Sequence, residues 1–136
     1  MRPIRRLSSA AGRCTAGFVL NGCAGQGSAE DHNAEAVVTQ FVGSIRTDPA
    51  AACALLAPAT LTALQDHDGD CPTGLPKQIQ PSSGLATSTA VYGKYAIVHV
   101  GADTIFAARF EDGWRVTAAG CTPQADRPYN CKIKGN

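Results

Sequence analysis

His99 and Asp103 are the two side chains whose types and spacing suit acid–base chemistry. Their placement depends on the turn between two predicted strands, because a shift of one residue moves every side chain to the other face of a sheet. A two-residue turn at Ala102 and Asp103 puts His99 on the face of Phe106, with Tyr95 and Ile97. A three-residue turn puts a more apolar set there instead, namely Ala96, Val98 and Val100. We favour the second arrangement and expect His99 to lie outward or at the rim.

Other residues that could bind a metal, act as a nucleophile or bind phosphate match the known motifs poorly. The run DHDGD at 66–70 resembles the start of a calcium loop, but Cys71 and Lys77 stand where an EF-hand has its glycine and its glutamate. We interpret this run as a solvated helix end. Ser82-Ser83-Gly84 lacks the flanks of a nucleophile elbow, and no glycine loop for phosphate precedes a βαβ unit. The sequence therefore predicts no catalytic signature, no cofactor and no metal site.

The amino-terminal residues have the pattern of a secretory signal. Residues 1–22 contain four arginines and no acid, followed by a short apolar stretch at 15–20. The sequence Leu20-Asn21-Gly22-Cys23 resembles a bacterial lipobox, in which the cysteine after the cleavage site is acylated. We therefore predict a signal peptide at 1–22, a lipid on Cys23 and a flexible tether at 23–30. The alternative is a basic leader in which Cys23 carries no lipid.

Composition and charge limit the class of protein. The chain has 136 residues, 44% hydrophobic and 17% charged, which is enough for one domain with a modest core. No run approaches the roughly 18 apolar residues of a spanning helix. Without the leader's four arginines, eight basic and 11 acidic residues remain, a net charge of −3. A mildly acidic domain has no electrostatic attraction for nucleic acid, so we predict no nucleic-acid partner.

Four cysteines remain once Cys14 in the leader and the proposed lipid site are set aside. An even number in an exported chain indicates two disulfides, with three possible pairings. The simplest pairing joins sequence neighbours, and each bond would then stabilise the fold by about 3 kcal/mol. A zinc site with four thiolate ligands is the alternative, but the sequence has no C-x-x-C pair. The four cysteines in either alternative are Cys53, Cys71, Cys121 and Cys131.

The chain after the tether places helices before strands. Apolar residues at 34, 37, 38, 41, 42 and 45 follow one face of a helix over 31–46. Asp48 and Pro49 are the N-cap and the first position of a second helix. A short third helix covers 60–65, and residues 71–84, with three prolines and two glycines, are predicted as a loop.

Strand-like alternation follows at 87–92, 94–100, 104–110 and 114–118. A three-residue hairpin loop at 111–113 would put Phe110 opposite Trp114, Ala108 opposite Val116 and Phe106 opposite Ala118, all on the face that receives the first helix. We therefore predict a single α+β domain over 31–136, with two or three helices on a curved antiparallel sheet of about four strands. Residues 121–136 would form a strap held by its own disulfide.

Three segments carry a resemblance to a known family. DPAAACALLAP at 48–58, WRVTAAGCTP at 114–123 and RPYNC at 127–131 resemble signatures of small actinobacterial exported lipoproteins. The order of elements is similar to the nuclear-transport-factor-2-like, cystatin-like cone, over roughly residues 33–135. The resemblance implies a lipid-anchored domain with its helix in a curved sheet, and it implies no activity. Ketosteroid isomerases and dehydratases share that fold only.

We therefore predict a cell-envelope lipoprotein on the outer face of the membrane, anchored through the lipid on Cys23. Its domain would be a non-catalytic binding or accessory module for an envelope protein or a small apolar ligand. The alternative is an isomerase or dehydratase that uses His99, Asp103 or a tyrosine in its pocket. That enzyme needs a cavity that excludes water and contains an ionisable group.

Overall fold

The computed structural model describes residues 15–80 and 85–136, with side chains of the first helix described from residue 29 onward. Four helices precede five strands, which form one antiparallel sheet in the order β1-β2-β3-β4-β5. This confirms the predicted α+β class, with one strand more than expected. The helices are α1 (Thr15–Thr47), α2 (Pro49–Ala54), α3 (Pro58–Asp68) and α4 (Cys71–Gln78). The strands are β1 (Ala86–Tyr92), β2 (Tyr95–Val100), β3 (Asp103–Phe110), β4 (Gly113–Gln124) and β5 (Arg127–Lys134).

The apolar face of α1 forms the centre of the core. Ala34, Val38, Phe41 and Ile45 are completely buried, which confirms the face predicted from their spacing. The helix begins well before the predicted start, and no proline interrupts the sequence between its ends. Residues 23–30, which we expected as a flexible tether, are therefore helical backbone in α1. None of the helices in the described part of the chain is long and apolar enough to cross a membrane.

The short helices α2 and α4 each have an aspartate N-cap and a proline in the first turn. The Asp48 side chain accepts a hydrogen bond from the amide of Ala51 at 3.2 Å, and Pro49 occupies the first turn of α2, as predicted. The prediction of a loop over 71–84 was wrong for its first part, because α4 occupies Cys71–Gln78. Asp70 caps α4 by accepting from the amide and the hydroxyl of Thr73 at 3.2 and 2.8 Å. A proline in the first turn of a helix favours its start, so the proline count gave the wrong signal.

Two disulfides join sequence neighbours, as the simplest pairing predicted. Cys53–Cys71 links α2 to the start of α4, and Cys121–Cys131 links directly opposed residues of β4 and β5. The carboxy-terminal segment expected as a strap is mostly strand, because β5 pairs with β4 along its length. Disulfides persist in oxidising surroundings, so this pair of bonds indicates a protein outside the cytoplasm.

The turn between β2 and β3 has two residues, as in the alternative that we did not favour but one residue earlier in the chain, so Tyr95, Ile97 and His99 share the face of Phe106. Val100 pairs with Asp103 across a two-residue turn, which puts Phe106 opposite Ile97, so the register that we favoured was wrong. The apolar residues Ala96, Val98 and Val100 do face the core, but Ile105 and Ala107 join them there instead of Phe106.

The hairpin between β3 and β4 also has a two-residue turn. The predicted pairs Phe110–Trp114 and Ala108–Val116 were wrong by one residue, because Gly113 is the first residue of β4 and pairs with Phe110. The pair Phe106–Ala118 is confirmed, since an irregularity beside Phe106 restores the register there. As a result, Phe106 and Phe110 point away from the face that α1 covers.

We expect the Cys53–Cys71 disulfide to contribute substantially to stability. Replacing both residues with alanine should lower the free energy of unfolding by about 3 kcal/mol, since the bond closes a loop whose ends are 18 residues apart. Urea unfolding followed by the fluorescence of Trp114, the only tryptophan, measures this difference. The reference is the unsubstituted protein, and an equal free energy in the two proteins would contradict the prediction.

Candidate binding groove

An apolar groove of about 740 Å³ lies on the face of the sheet away from α1. Ile97, Phe106 and Ala118 form its floor, where they are neighbours on three adjacent strands. One wall consists of residues 57–60, at the start of α3, and residues 134–136, which meet along the same edge of β4. Tyr92, Tyr95 and Phe110 line its remaining end. The observed register of β3, which puts Phe106 and Phe110 on this face of the sheet, is therefore the feature that creates this site.

We call Tyr92, Tyr95 and Phe110 the aromatic end of the groove, and two neighbouring hairpins carry these residues. Tyr92 and Tyr95 flank the turn between β1 and β2, where Gly93 adopts a positive φ of 62° that glycine accepts readily. Phe110 ends β3 at the adjacent turn. These three side chains are 65%, 69% and 41% exposed, respectively, which is unusual for large aromatic groups. Their exposure leaves a continuous apolar surface at this end of the sheet.

The floor is held rigid by a ring contact. The rings of Phe106 and Tyr129 meet edge to face, with centroids 5.1 Å apart and planes at 76°. This geometry is the favourable one for two aromatic rings. Because Tyr129 belongs to β5, the contact fixes the Phe106 ring from the strand two places along the sheet.

The α3 wall is attached to β4 by backbone hydrogen bonds. The amide of Ala57 donates to the Val116 carbonyl at 2.8 Å, and the amide of Val116 donates to the Leu55 carbonyl at 2.9 Å. The Thr60 hydroxyl, which is almost completely buried, donates to the Thr117 carbonyl at 2.8 Å. The start of α3 is therefore fixed against the sheet, and the groove is preformed.

The lining of the groove has little chemistry beyond apolar contact. Among the described residues that line it, the ionisable side chains are those of Tyr92, Tyr95 and Lys134, and none is acidic or an imidazole. The two tyrosines are exposed to water. This arrangement can hold an apolar molecule by burial, with polar contacts at its edges.

The structure does not bring His99 and Asp103 together. His99 pairs with Thr104 and Asp103 pairs with Val100, so the two side chains lie on opposite faces of the sheet. His99 is half-buried, and its Nδ1 is 3.1 Å from the Thr104 hydroxyl oxygen. Neither residue lines the groove.

The acidic run at 66–70 serves the junction between α3 and α4. The carboxylate of Asp68 accepts from Gln78 Nε2 at 3.0 Å, and Asp70 is the cap of α4. Asp70 thus satisfies an amide at the start of α4, and Asp68 links the end of α3 to the end of α4 through the Gln78 side chain.

Several predicted features fall where the structure gives no side-chain description. Residues 1–14 and Ser82-Ser83-Gly84 lie outside the described residues. Cys23 is part of the α1 backbone, but its side chain also lies outside them. The signal peptide and the lipid on Cys23 therefore stay predictions.

The groove residues were not identified from the sequence as a site. Phe106 and Phe110 were expected against the helix, and a tyrosine was considered for a pocket only in the alternative of an isomerase or dehydratase. The sequence did contain a signal for this site. Tyr95 and Ile97 in β2, and Phe106 and Phe110 in β3, lie on one face of strands whose other face is also apolar. A sheet with two apolar faces and helices sufficient for one predicts an uncovered apolar surface.

The chain matches no family model, no curated protein and no solved structure. The structure itself establishes an α+β domain with helices on a five-stranded sheet, and the resemblance to exported lipoproteins stays a prediction.

The Thr60 hydrogen bond should contribute measurably to the attachment of the α3 wall. We expect Thr60→Val to lower the free energy of unfolding by about 1 kcal/mol, because it removes a buried hydrogen bond with little change in volume. Thr60→Ser keeps the hydroxyl and is the matched control. Urea unfolding of the three proteins decides the matter, and a valine variant as stable as the unsubstituted protein would refute the role of this bond.

Proposed function

We propose that this chain is an exported lipoprotein whose domain binds a small apolar ligand in the groove without catalysis. The observation that carries the proposal is the groove itself. Its volume of about 740 Å³ falls within the roughly 300–1,000 Å³ typical of small-molecule sites. Its floor and aromatic end supply the apolar surface that such sites use for affinity.

The non-catalytic assignment is supported by where the ionisable groups lie. General acid–base catalysis needs a titratable group that faces a bound substrate in a site from which water is excluded. His99 and Asp103 are away from the groove, and the tyrosines at its end are exposed. Lys134, also exposed, can contact a polar group of the ligand at the edge.

The cellular setting in this proposal is the outer face of the cell membrane. The two disulfides support export, and the lipobox-like sequence before Cys23 supports acylation at that residue. A lipoprotein anchor with several acyl chains holds a protein firmly, whereas a single chain holds it only marginally. The resemblance of three segments to actinobacterial exported lipoproteins, with a cystatin-like domain, agrees with this setting. An envelope protein is the other partner that the groove could serve.

Ligand binding can be tested with the apolar dye N-phenyl-1-naphthylamine, whose fluorescence rises in apolar surroundings. We expect the unsubstituted protein to bind the dye. Ala59→Leu should weaken binding about tenfold, because the larger side chain enters the groove and costs about 1.4 kcal/mol of affinity. Ala50→Leu is a matched control, since Ala50 and Ala59 are both exposed and both follow the proline that opens a helix. Absence of dye binding, or equal loss in both variants, would contradict the proposal.

Export and lipidation can be tested by mass analysis of protein recovered from membranes without reduction. We expect a chain that begins at acylated Cys23, with the other four cysteines of the mature chain oxidised. A chain that begins at Met1 with free thiols would refute the lipoprotein assignment. The dye experiment is independent of this outcome, so the anchor and the binding activity are tested separately.

A further inference from the structure

The exposed aromatic residues lie together at one end of the sheet. They are the residues of the aromatic end, Tyr92, Tyr95 and Phe110. The two hairpins that carry these residues are joined by a hydrogen bond from the Arg109 amide to the Lys94 carbonyl at 2.8 Å. Three large side chains that remain exposed on a rigid, hydrogen-bonded platform favour a contact surface over chance exposure.

The helix α1 is attached to the sheet at this same end. One oxygen of the Glu30 carboxylate accepts from the indole nitrogen of Trp114 at 2.9 Å, and the other lies 3.3 Å from the Arg109 guanidinium. Trp114 and Arg109 are each one residue from the ends of β4 and β3 at the Phe110 turn. Glu30 therefore fixes α1 beside the aromatic end.

The amino-terminal part of α1, before Glu30, extends beyond the aromatic end. Glu35, one turn and a half later in the helix, accepts at 2.9 Å from Thr89, which lies three residues from the Tyr92 end of β1. Going from Glu35 back to Glu30 thus moves toward the hairpin turns. Cys23 lies seven residues before Glu30 in the same helix, so its backbone is about 10 Å further in that direction.

The chemistry of the aromatic end suits the surface of a lipid bilayer. Tyrosine has an apolar ring and a polar hydroxyl, and it favours the level of the lipid headgroups. The hairpin turns and the adjoining turn of α1 carry three cations and four anions, which are Lys94, Arg109, Arg115, Glu30, Asp31, Glu111 and Asp112. A net charge of −1 gives little attraction to or repulsion from the membrane surface, so apolar contact decides binding.

We infer that the aromatic end of the sheet rests on the lipid bilayer beside the anchor at Cys23. This inference depends on the proposed anchoring at that residue. The lipid limits the distance between domain and membrane, the helix sets which end of the domain is near, and the three aromatic side chains enter the headgroup region.

The inference can be tested on vesicles whether or not cells acylate the protein. The full chain with Cys14→Ser is coupled through Cys23 to a maleimide lipid in phosphatidylcholine vesicles, so that the anchor is supplied chemically. Tyr92→Trp places a fluorescent reporter at the aromatic end, and lipids with brominated acyl chains quench it on contact. Trp114 is retained because its indole binds Glu30. The fluorescence of Trp114 alone is measured in the coupled chain that lacks Tyr92→Trp and is subtracted.

Leu85→Trp supplies the matched control. Leu85 is 77% exposed and precedes β1, so it lies at the opposite end of that strand from Tyr92. We expect quenching of about twofold or more for Tyr92→Trp, with little quenching for Leu85→Trp, because contact with lipid would bury the first reporter. Equal quenching at both positions, or none at Tyr92→Trp, would overturn the inference.

A second comparison tests whether the aromatic side chains make the contact. Adding Tyr95→Ser and Phe110→Ser to the Tyr92→Trp chain should remove about half or more of the quenching, since it removes most of the apolar area. Quenching that persists unchanged would overturn the role of these residues. Failure of acylation in cells would appear only in the mass analysis, and failure of ligand binding only in the dye titration.

Discussion

The strand β4 is the element on which the rest of the structure depends, because hydrogen-bonding groups along both of its edges need partners. Its first edge pairs with β3, and its second pairs with β5 only from Ala118 onward. The exposed remainder of that second edge is completed by Leu55 and Ala57, whose backbone groups bond to Val116. Buried backbone groups are costly when unpaired. Satisfying them draws the start of α3 against the sheet and so creates one wall of the groove.

The small residues of this chain have two opposite effects. A core rich in alanine and valine buries little surface per residue, and the two disulfides compensate by restricting the unfolded chain. The same small side chains leave room elsewhere. The two segments that form the wall at β4 meet closely, since a Cβ on Gly135 would lie 3.0 Å from that of Ala59. Larger side chains at these positions would fill the space that the aromatic end and Phe106 enclose.

The parts of the fold that the sequence predicted are those determined by local chemistry. The helical spacing from Ala34 to Ile45 and the cap at Asp48 each require only neighbouring residues, and both are present as expected. The strand register depends on where a turn or bulge places one residue, and no local pattern fixes this. A single position moved Phe106 from the expected core face to the groove. The site was missed for this reason, whereas the helices-on-sheet class, which needs no register, was predicted correctly.

The groove ends at the same hairpins that carry Tyr92, Tyr95 and Phe110, which has a consequence for how a ligand would arrive. With the aromatic end on the bilayer, the mouth of the groove would open at the lipid headgroups. An apolar molecule dissolved in the membrane could then enter by lateral diffusion, without crossing bulk water. Occupancy would depend on the concentration of that molecule in the lipid phase, which for a sparingly soluble compound greatly exceeds its concentration in solution.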